Sequence, residues 1–293
     1  MKKVMCVLSL VILVIVVLFV IYLKNDDSKY ENVFSIKSSY SFINNTESFN
    51  VKLYSSKEES LLLYGKEATV VLHDIDDKNV INCNVLNVNI NDKVFYNDKY
   101  YYEYVYNLSV NISSLCLKEC YLNIKFKNIE YDFFVGYFEI IEKEFHGELI
   151  GLNNLFGLTH DDFGKSLCAI VLSIKNKAEE VMKIREVMIG SNYQISLTDE
   201  YVVESYDSND IYDYIPLYNK KMNQKNKEIL IKNNENKTLI LPIKYIKDYY
   251  LSNTFLLLKI NDKIYYIPNF TFIESNDLLV MKEYISTGMI YEF

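Results

Sequence analysis

The densest group of side chains able to bind a metal ion is the run His73-Asp74-Ile75-Asp76-Asp77. Hard cations such as Ca²⁺ bind several carboxylate oxygens, so Asp74, Asp76 and Asp77 are candidate ligands. The spacing differs from an EF-hand loop, because neither the glycine at position six nor the glutamate at position twelve is present when counting starts at Asp74. We therefore interpret the run as a solvated turn between two strands.

A second acidic segment, residues 199–213, contains Asp207, Asn209 and Asp210 among several tyrosines. These side chains are candidates for binding a cation, and the tyrosines for presenting aromatic faces to a sugar or a peptide. The segment also lacks the glycine that a calcium loop requires. We interpret it as a long polar loop, and as the first choice for a ligand surface, because binding residues are often carried on loops of a rigid scaffold.

No catalytic or cofactor-binding motif is present. The run His160-Asp161-Asp162 places a base beside acids, but adjacent side chains point in divergent directions and no nucleophile motif lies nearby. The sequence has no H-E-x-x-H, G-x-S-x-G, S-x-x-K or C-x-x-C motif and no glycine-rich phosphate loop. We predict a protein without enzymatic activity or cofactor, although carboxylates brought together by folding, as in glycosidases, leave no sequence motif.

Four cysteines follow the first apolar segment, and an oxidising environment would allow them up to two disulfides in three connectivities. They are Cys83, Cys116, Cys120 and Cys168. On one straight strand, Cys116 and Cys120 would be about 13 Å apart, beyond disulfide reach. The pairing stays open, and free thiols are an equal alternative.

The N-terminal segment predicts a membrane anchor. From Val4 to Leu23 the residues are apolar apart from Ser9 and Tyr22, which is long enough to cross a hydrocarbon core of about 30 Å as a helix. A cleavable signal peptide has a shorter apolar core and small residues at its cleavage site, and neither feature is present. Lysines precede the run and Asp26 and Asp27 follow it, so the positive-inside rule predicts a cytoplasmic N-terminus.

The charge balance excludes nucleic acid as a partner. The 293-residue chain has 31 basic and 39 acidic residues; three of the lysines precede residue 25, so the remainder carries a net charge of −11. Nucleic-acid binding requires clustered Lys and Arg, and such clusters are absent. We expect the bilayer as one partner, and an envelope protein or glycan as the other.

Composition and apolar spacing predict an all-β fold. The chain contains 27 tyrosines and 16 phenylalanines, and aromatic and β-branched residues favour strands. Strand-length apolar runs recur between polar turns, a spacing typical of an antiparallel sandwich. They are SFNVKLY, ATVVLHDI, INCNVLNVNI, YYYEYVYNLSVNI, CYLNIKF and YDFFVGYFEII. We also predict a strand for residues 178–188, although their spacing is compatible with a helix.

The two halves of the chain share a weak internal repeat. The segment that starts at Asn107 can be laid over the segment that starts at Thr238, with Tyr121 matching Phe255 and Lys125 matching Lys259. Each copy reads as strand, corner, strand, tight hairpin and closing strand. The turns contain Asn, Asp and Lys, as short hairpins need, because Asn and Asp tolerate positive φ.

The segment LSVNISSLCLKECYLNIKF resembles the later strands of immunoglobulin-like sandwiches, with Tyr121 at the position of the tyrosine corner. The second copy has Phe255 there, which lacks the hydroxyl group. The resemblance implies tandem immunoglobulin-like domains on a stalk, as in many bacterial surface proteins, whose modules bind, space or scaffold.

We therefore expect a transmembrane helix within residues 1–28, one antiparallel β-sandwich in residues 29–144 and a second in residues 145–293. The tail after Ile273 extends beyond the repeat, and we expect it to pack on the second sandwich. The predicted function is non-catalytic binding or scaffolding in the cell envelope, outside the membrane. The alternatives are an anchored cell-wall or glycan hydrolase using dispersed Asp and Glu, and an accessory subunit of a membrane complex.

Overall fold

The computed structural model describes residues 31–44, 48–144, 150–159, 167–190, 195–197, 202–204, 229–245, 251–273 and 284–293. Within these ranges the fold is all-β, as predicted, with one short 3₁₀ helix, Leu61–Glu67. The strands are β1 (Val33–Ile36), β2 (Ser38–Ile43), β3 (Phe49–Ser55), β4 (Thr69–Asp74), β5 (Val80–Tyr96), β6 (Lys99–Ser109), β7 (Leu115–Lys125), β8 (Ile129–Ile141), β9 (Ile150–Thr159), β10 (Leu167–Asn176), β11 (Met182–Ile189), β12 (Ile195–Leu197), β13 (Val202–Glu204), β14 (Ile229–Ile231), β15 (Asn236–Tyr245), β16 (Leu251–Ile260), β17 (Lys263–Ile273), β18 (Ile285–Thr287) and β19 (Met289–Glu292).

The first sandwich is built from two sets of strands that share β5. One set has the order β18-β1-β3-β6-β5, and the other has the order β5-β4-β7-β8-β2. Residues 80–83 of β5 pair with β4, and the residues from Asn84 onwards pair with β6, with a register shift between Val85 and Asn87. β-Bulges bend a strand, and near this bulge β5 passes from one layer to the other. Side chains from both layers, including Leu53, Leu72, Tyr104 and Phe133, form one core.

Alternation of side chains explains which face of the β4–β7–β8 sheet is buried. On β7, Leu122 and Ile124 are fully buried in the core, while Tyr121 and Asn123 lie on the opposite face. Successive side chains of a strand point to opposite faces, so an apolar–polar alternation gives a sheet with one solvent face. That solvent face carries the candidate functional site.

The second sandwich has its own core. The sheet that contains β9, β10 and β15 packs on the sheet that contains β11, β14, β16 and β17. Ile170, Leu172, Leu239 and Leu256 are fully buried between them. The strand predicted for residues 178–188 is present as β11, with Met182 and Ile184 in this core.

The two halves are joined through one continuous sheet, which the sequence did not predict. Strand β2 pairs in parallel with β8 on one side and with β16 on the other. The expectation of purely antiparallel sheets was therefore wrong at these two pairings. The pattern of apolar residues defines the faces of a strand, but it does not define the direction of the strand beside it.

The described end of the C-terminal tail, residues 284–293, packs on the first sandwich, not on the second as we expected. Strand β18 pairs with β1, and β19 pairs with the beginning of β8. Ile285 and Ile290 pack against the core of the first sandwich. Both pairings complete a strand edge, because β1 otherwise has only β3 beside it and the first residues of β8 otherwise have only β7 beside them.

Both halves contain the predicted order of strand, corner, strand, tight hairpin and closing strand. Strand β6 lies in one layer and is followed by the β7–β8 hairpin in the other; β15 is followed in the same way by the β16–β17 hairpin. Asn261 and Asp262 form the second turn with φ of 46° and 67°, as expected for Asn and Asp in a tight hairpin, whereas Asn128 in the first turn does not have a positive φ.

The predicted anchor, Val4 to Leu23, lies outside the residues that the structure describes. Among those that it does describe, no helix is both long enough and apolar enough to span a bilayer.

Candidate functional site

The candidate site is a cleft of about 450 Å³ on the solvent face of β4, β7 and β8, called here the His73 cleft. The strand register places its residues side by side: His73 is opposite Tyr121, and Asn123 is opposite Asp132. Glu130 is the next outward residue on β8, two positions before Asp132. Strand β19 extends the same face, so that Tyr291 and Phe293 line the cleft.

His73 is surrounded by hydrogen-bond acceptors. Its Nε2 lies 3.0 Å from Asp132 Oδ1, and its Nδ1 lies 2.9 Å from the Asp74 carbonyl oxygen and 2.6 Å from Asp77 Oδ1. Both ring nitrogens must carry a proton to donate to these groups, which is the imidazolium form. Accordingly, the hydrogen bond with Asp132 raises the pKa of His73, even though partial burial lowers it. His73 therefore binds a proton more tightly than a free imidazole does.

The candidate metal ligands Asp74, Asp76 and Asp77 have separate structural roles. Asp74 Oδ1 accepts from the Lys78 backbone N–H at 2.8 Å and its Oδ2 from the Asn79 amide at 2.6 Å, which closes the turn. Asp76 pairs with Lys78, while Asp77 turns towards His73. Within the described ranges, no group of three or more His, Cys, Asp or Glu side chains is arranged to hold a metal ion.

The other predicted site residues, Asp207, Asn209 and Asp210, lie outside the described residues, as does the run His160-Asp161-Asp162.

Glu130 is held ionised at one wall of the cleft. It accepts a hydrogen bond from the Asn123 side chain at 2.7 Å and pairs with Lys125 at 3.2 Å. Burial raises the pKa of Glu130, but these two partners outweigh it, and the pKa lies below its usual value. A glycosidase needs a carboxylic acid that keeps its proton near neutral pH. Glu130 is therefore unsuited to act as that acid, although Asp132 follows it on the same face.

Aromatic side chains form the rim of the cleft. The Tyr121 ring stacks on His73 with a centroid distance of 5.4 Å and contacts Phe134 at 5.1 Å. Tyr121 thus supports His73 on the outer face of β7, which differs from the corner role that the immunoglobulin-like resemblance implies. Tyr291 and Phe293 are 43% and 77% exposed. The Lys125 ammonium already lies 5.3 Å from the Phe293 ring centre.

The cysteines Cys83, Cys116 and Cys120 are free thiols. Strand β7 continues through Cys116 and Cys120 with a bulge but without a turn, so the separation that argued against a bridge is retained. Burial raises the pKa of Cys83 to about 12 and raises that of the fully buried Cys120 as well. The side chain of Cys168 lies outside the described part of the chain.

Sequence reasoning found His73 and Asp77 but missed Glu130, Asp132, Tyr291 and Phe293. The alternation in IEYDFFV does indicate that Glu130 and Asp132 share a solvent face. It contains no signal that His73, 59 residues earlier, lies beside Asp132. The tail residues were missed because we expected the tail on the other sandwich.

No protein-family model matches the sequence, and a search of curated proteins finds no match. Among solved structures, the Streptococcus agalactiae AgI/II polypeptide BspA C-terminal domain aligns with 82% of this chain over 98% of its own length, at 11% identity and a TM-score of 0.21. Chains named BspA_C_WT and BspA_C_mut align over the same shares at 10% identity and the same TM-score. So low a TM-score carries no weight for fold or function.

Proposed function

We propose that this protein is a non-catalytic binding module, held outside the membrane by its N-terminal segment, whose His73 cleft receives a cationic side chain of an envelope protein. The observation that carries this proposal is the set of three carboxylates, on Asp77, Glu130 and Asp132, in a cleft with exposed aromatic rings. Carboxylates and aromatic faces are the two kinds of group that attract ammonium and guanidinium ions.

The negative charge of the protein favours a cationic ligand, both inside the cleft and at longer range. In and beside the cleft, the three carboxylates outnumber the imidazolium of His73 and the ammonium of Lys125. The chain after residue 24 carries a net charge of −11, which raises the local concentration of cations around it. The contact of Lys125 with Phe293 and Glu130 is an internal example of the recognition proposed for the ligand.

The binding test is calorimetric titration of the full chain in detergent micelles with tetralysine and with tetraglutamate. We expect tetralysine to bind, with an affinity that falls as salt is added, because exposed charge interactions are screened. Replacing Glu130 with Gln should weaken binding at least threefold. The matched control is E186Q, on β11 and outside the cleft, which should bind as the unmodified chain does. Equal loss in both variants, or tighter binding of tetraglutamate, would contradict the proposal.

The anchored topology rests on the apolar run from Val4 to Leu23 and on the lysines before it. Protease added to intact cells should degrade the part of the chain after the run and leave the N-terminal segment in the membrane. Complete protection of the downstream part, with digestion only after lysis, would show that this topology is wrong. Failure of this test would leave the proposed cleft chemistry unaffected.

A further inference from the structure

A second cavity, of about 550 Å³, lies against β3, β5 and β6 and is called here the bulge cavity. Apart from Val80, the first residue of β5, none of the residues that line the His73 cleft belongs to these three strands. The polar side chains that reach it are Lys52, Tyr54, Asn91, Asp92 and Glu103. Its volume is within the range of about 300–1,000 Å³ that small-molecule sites occupy.

Glu103 lies at the base of the bulge cavity and is only 7% exposed. Its carboxylate accepts hydrogen bonds from the Tyr54 hydroxyl at 2.5 Å, the Asn91 side-chain amide at 2.7 Å and the Lys52 ammonium at 3.3 Å. A buried carboxylate is costly unless donors surround it, and here three donors do so. The network keeps the polar groups of the cavity in a fixed arrangement.

A β-bulge brings Asn91 and Asp92 to this cavity. Between the pairs Ile90–Tyr104 and Lys93–Tyr102, strand β5 contains one residue more than β6. Neither Asn91 nor Asp92 therefore has a partner in the ladder. Bulges re-aim side chains, and they are over-represented next to functional sites. In this case the bulge places Asn91 against Glu103, and both Asn91 and Asp92 are exposed.

The bulge cavity offers a hydrogen-bond donor beside acceptors: the partly exposed Lys52 ammonium lies next to the carboxylates of Asp92 and Glu103. These carboxylates would repel an anionic ligand. Hydroxyl groups both donate and accept hydrogen bonds, so a neutral polyhydroxylated molecule is compatible with donors and acceptors in the same cavity. Ile90 and Val94 provide an apolar wall for its C–H groups.

We infer that the bulge cavity is a binding site for a neutral saccharide, with Asp92 accepting hydrogen bonds from its hydroxyl groups, Lys52 donating one, and Glu103 holding Lys52 and Asn91 in place. This site is independent of the proposed function of the His73 cleft. The sugar is recognised by side chains that hold each other in place before it binds, which reduces the entropy lost on binding.

The test uses sugars that share a ring but differ in charge: glucose and N-acetylglucosamine as neutral probes, glucosamine as a cation and glucuronate as an anion. Saturation-transfer NMR on the full chain in detergent should detect at least one neutral probe and give weaker signals for both ions. D92A should lower the affinity for that neutral probe at least tenfold. A stronger signal for glucosamine or glucuronate, or no signal from any probe at tens of millimolar, would overturn the inference.

Two matched variants complete the experiment. D98N, at the tip of the same hairpin, removes a similar charge outside the cavity and should leave sugar binding unchanged. E130Q removes a carboxylate of the His73 cleft and should also leave it unchanged, so the two sites can fail separately. Loss of sugar binding in D98N to the same extent as in D92A would show that net charge, not the cavity, is responsible.

Discussion

At the scale of single residues, the His73 cleft shows how acceptors around both ring nitrogens favour the protonated form of a histidine. Each ring nitrogen faces only acceptors, namely the Asp132 carboxylate on one side and the Asp77 carboxylate and the Asp74 carbonyl on the other. Glu130, Tyr121 and Tyr291 also lie on this face, and Lys125 is paired with Glu130. Protonation of His73 satisfies all of these contacts at once, whereas deprotonation leaves one nitrogen lone pair against an oxygen.

This arrangement predicts that His73 stabilises the fold in a pH-dependent way. Its pKa in the folded state is above the usual 6.5, first because of Asp132, so the folded protein binds the proton more tightly than the unfolded chain. The contribution is complete below about pH 6.5 and is lost as the pH rises through the folded-state pKa. H73Q should therefore lower the free energy of unfolding by about 1–2 kcal/mol at pH 5.5 and by less at pH 8.5, as measured by urea titration. D132N should remove most of this pH dependence, and a loss that grew with pH would contradict the network.

At the scale of elements, the parallel pairing of β2 with β8 depends on the absence of a side chain at Gly136. Gly136 has a φ of +115° and is opposite Ser38. A Cβ atom at this position would lie 2.1 Å from the Ser38 carbonyl oxygen and 2.8 Å from its nitrogen. Both atoms belong to the backbone, so relief of the clash requires that the two strands separate. Gly136 is also opposite Cys120, where the β7–β8 ladder has its bulge.

We therefore expect G136A to lower the free energy of unfolding by about 3 kcal/mol or more, since it adds both a clash and an unfavourable φ. The measurement is urea unfolding followed by far-UV circular dichroism. The matched control is G151A, where the nearest atom to the new Cβ would be Cε of Lys177, the mobile end of a long side chain. That substitution should cost less than about 1 kcal/mol. Equal costs for the two variants would mean that the close approach of β2 is not required.

The elements also show how far sequence reasoning reaches. The six apolar runs became β3 to β8, because alternation over strand length records which side chains face the core. Strand β2 was missed, since SSYSFI is short and its serines are buried like its aromatic residues. The bulge cavity was missed for another reason: Asn91 and Glu103 come together only when β5 gains a residue against β6. A lone acid inside the aromatic run YYYEYVY was the one available sign.

At the scale of the whole molecule, segments far apart in sequence complete the same sheets. Residues 251–253 of β16 pair with β2, near the other end of the chain. Ile43 packs with Phe255 and Leu257 in a small core where the two halves meet. The tail then returns to β1 and β8, and the Gly288 N–H donates to the Val33 carbonyl oxygen. The first sandwich therefore includes strands from both ends of the sequence.

Because of this arrangement, deletion of residues 284–293 should loosen the first sandwich more than the second. Strand β1 would keep β3 but lose β18, and the beginning of β8 would keep β7 but lose β19. An unpaired strand edge opens more readily, so amides of β1 and of residues 129–132 should exchange at least tenfold faster in hydrogen-exchange mass spectrometry. Amides of β10 and β15, which the tail does not touch, should keep their protection. The control Y291A changes only an exposed side chain and should leave β1 protected. Faster exchange confined to β10 and β15 would instead place the tail on the second sandwich, as its position in the sequence had indicated.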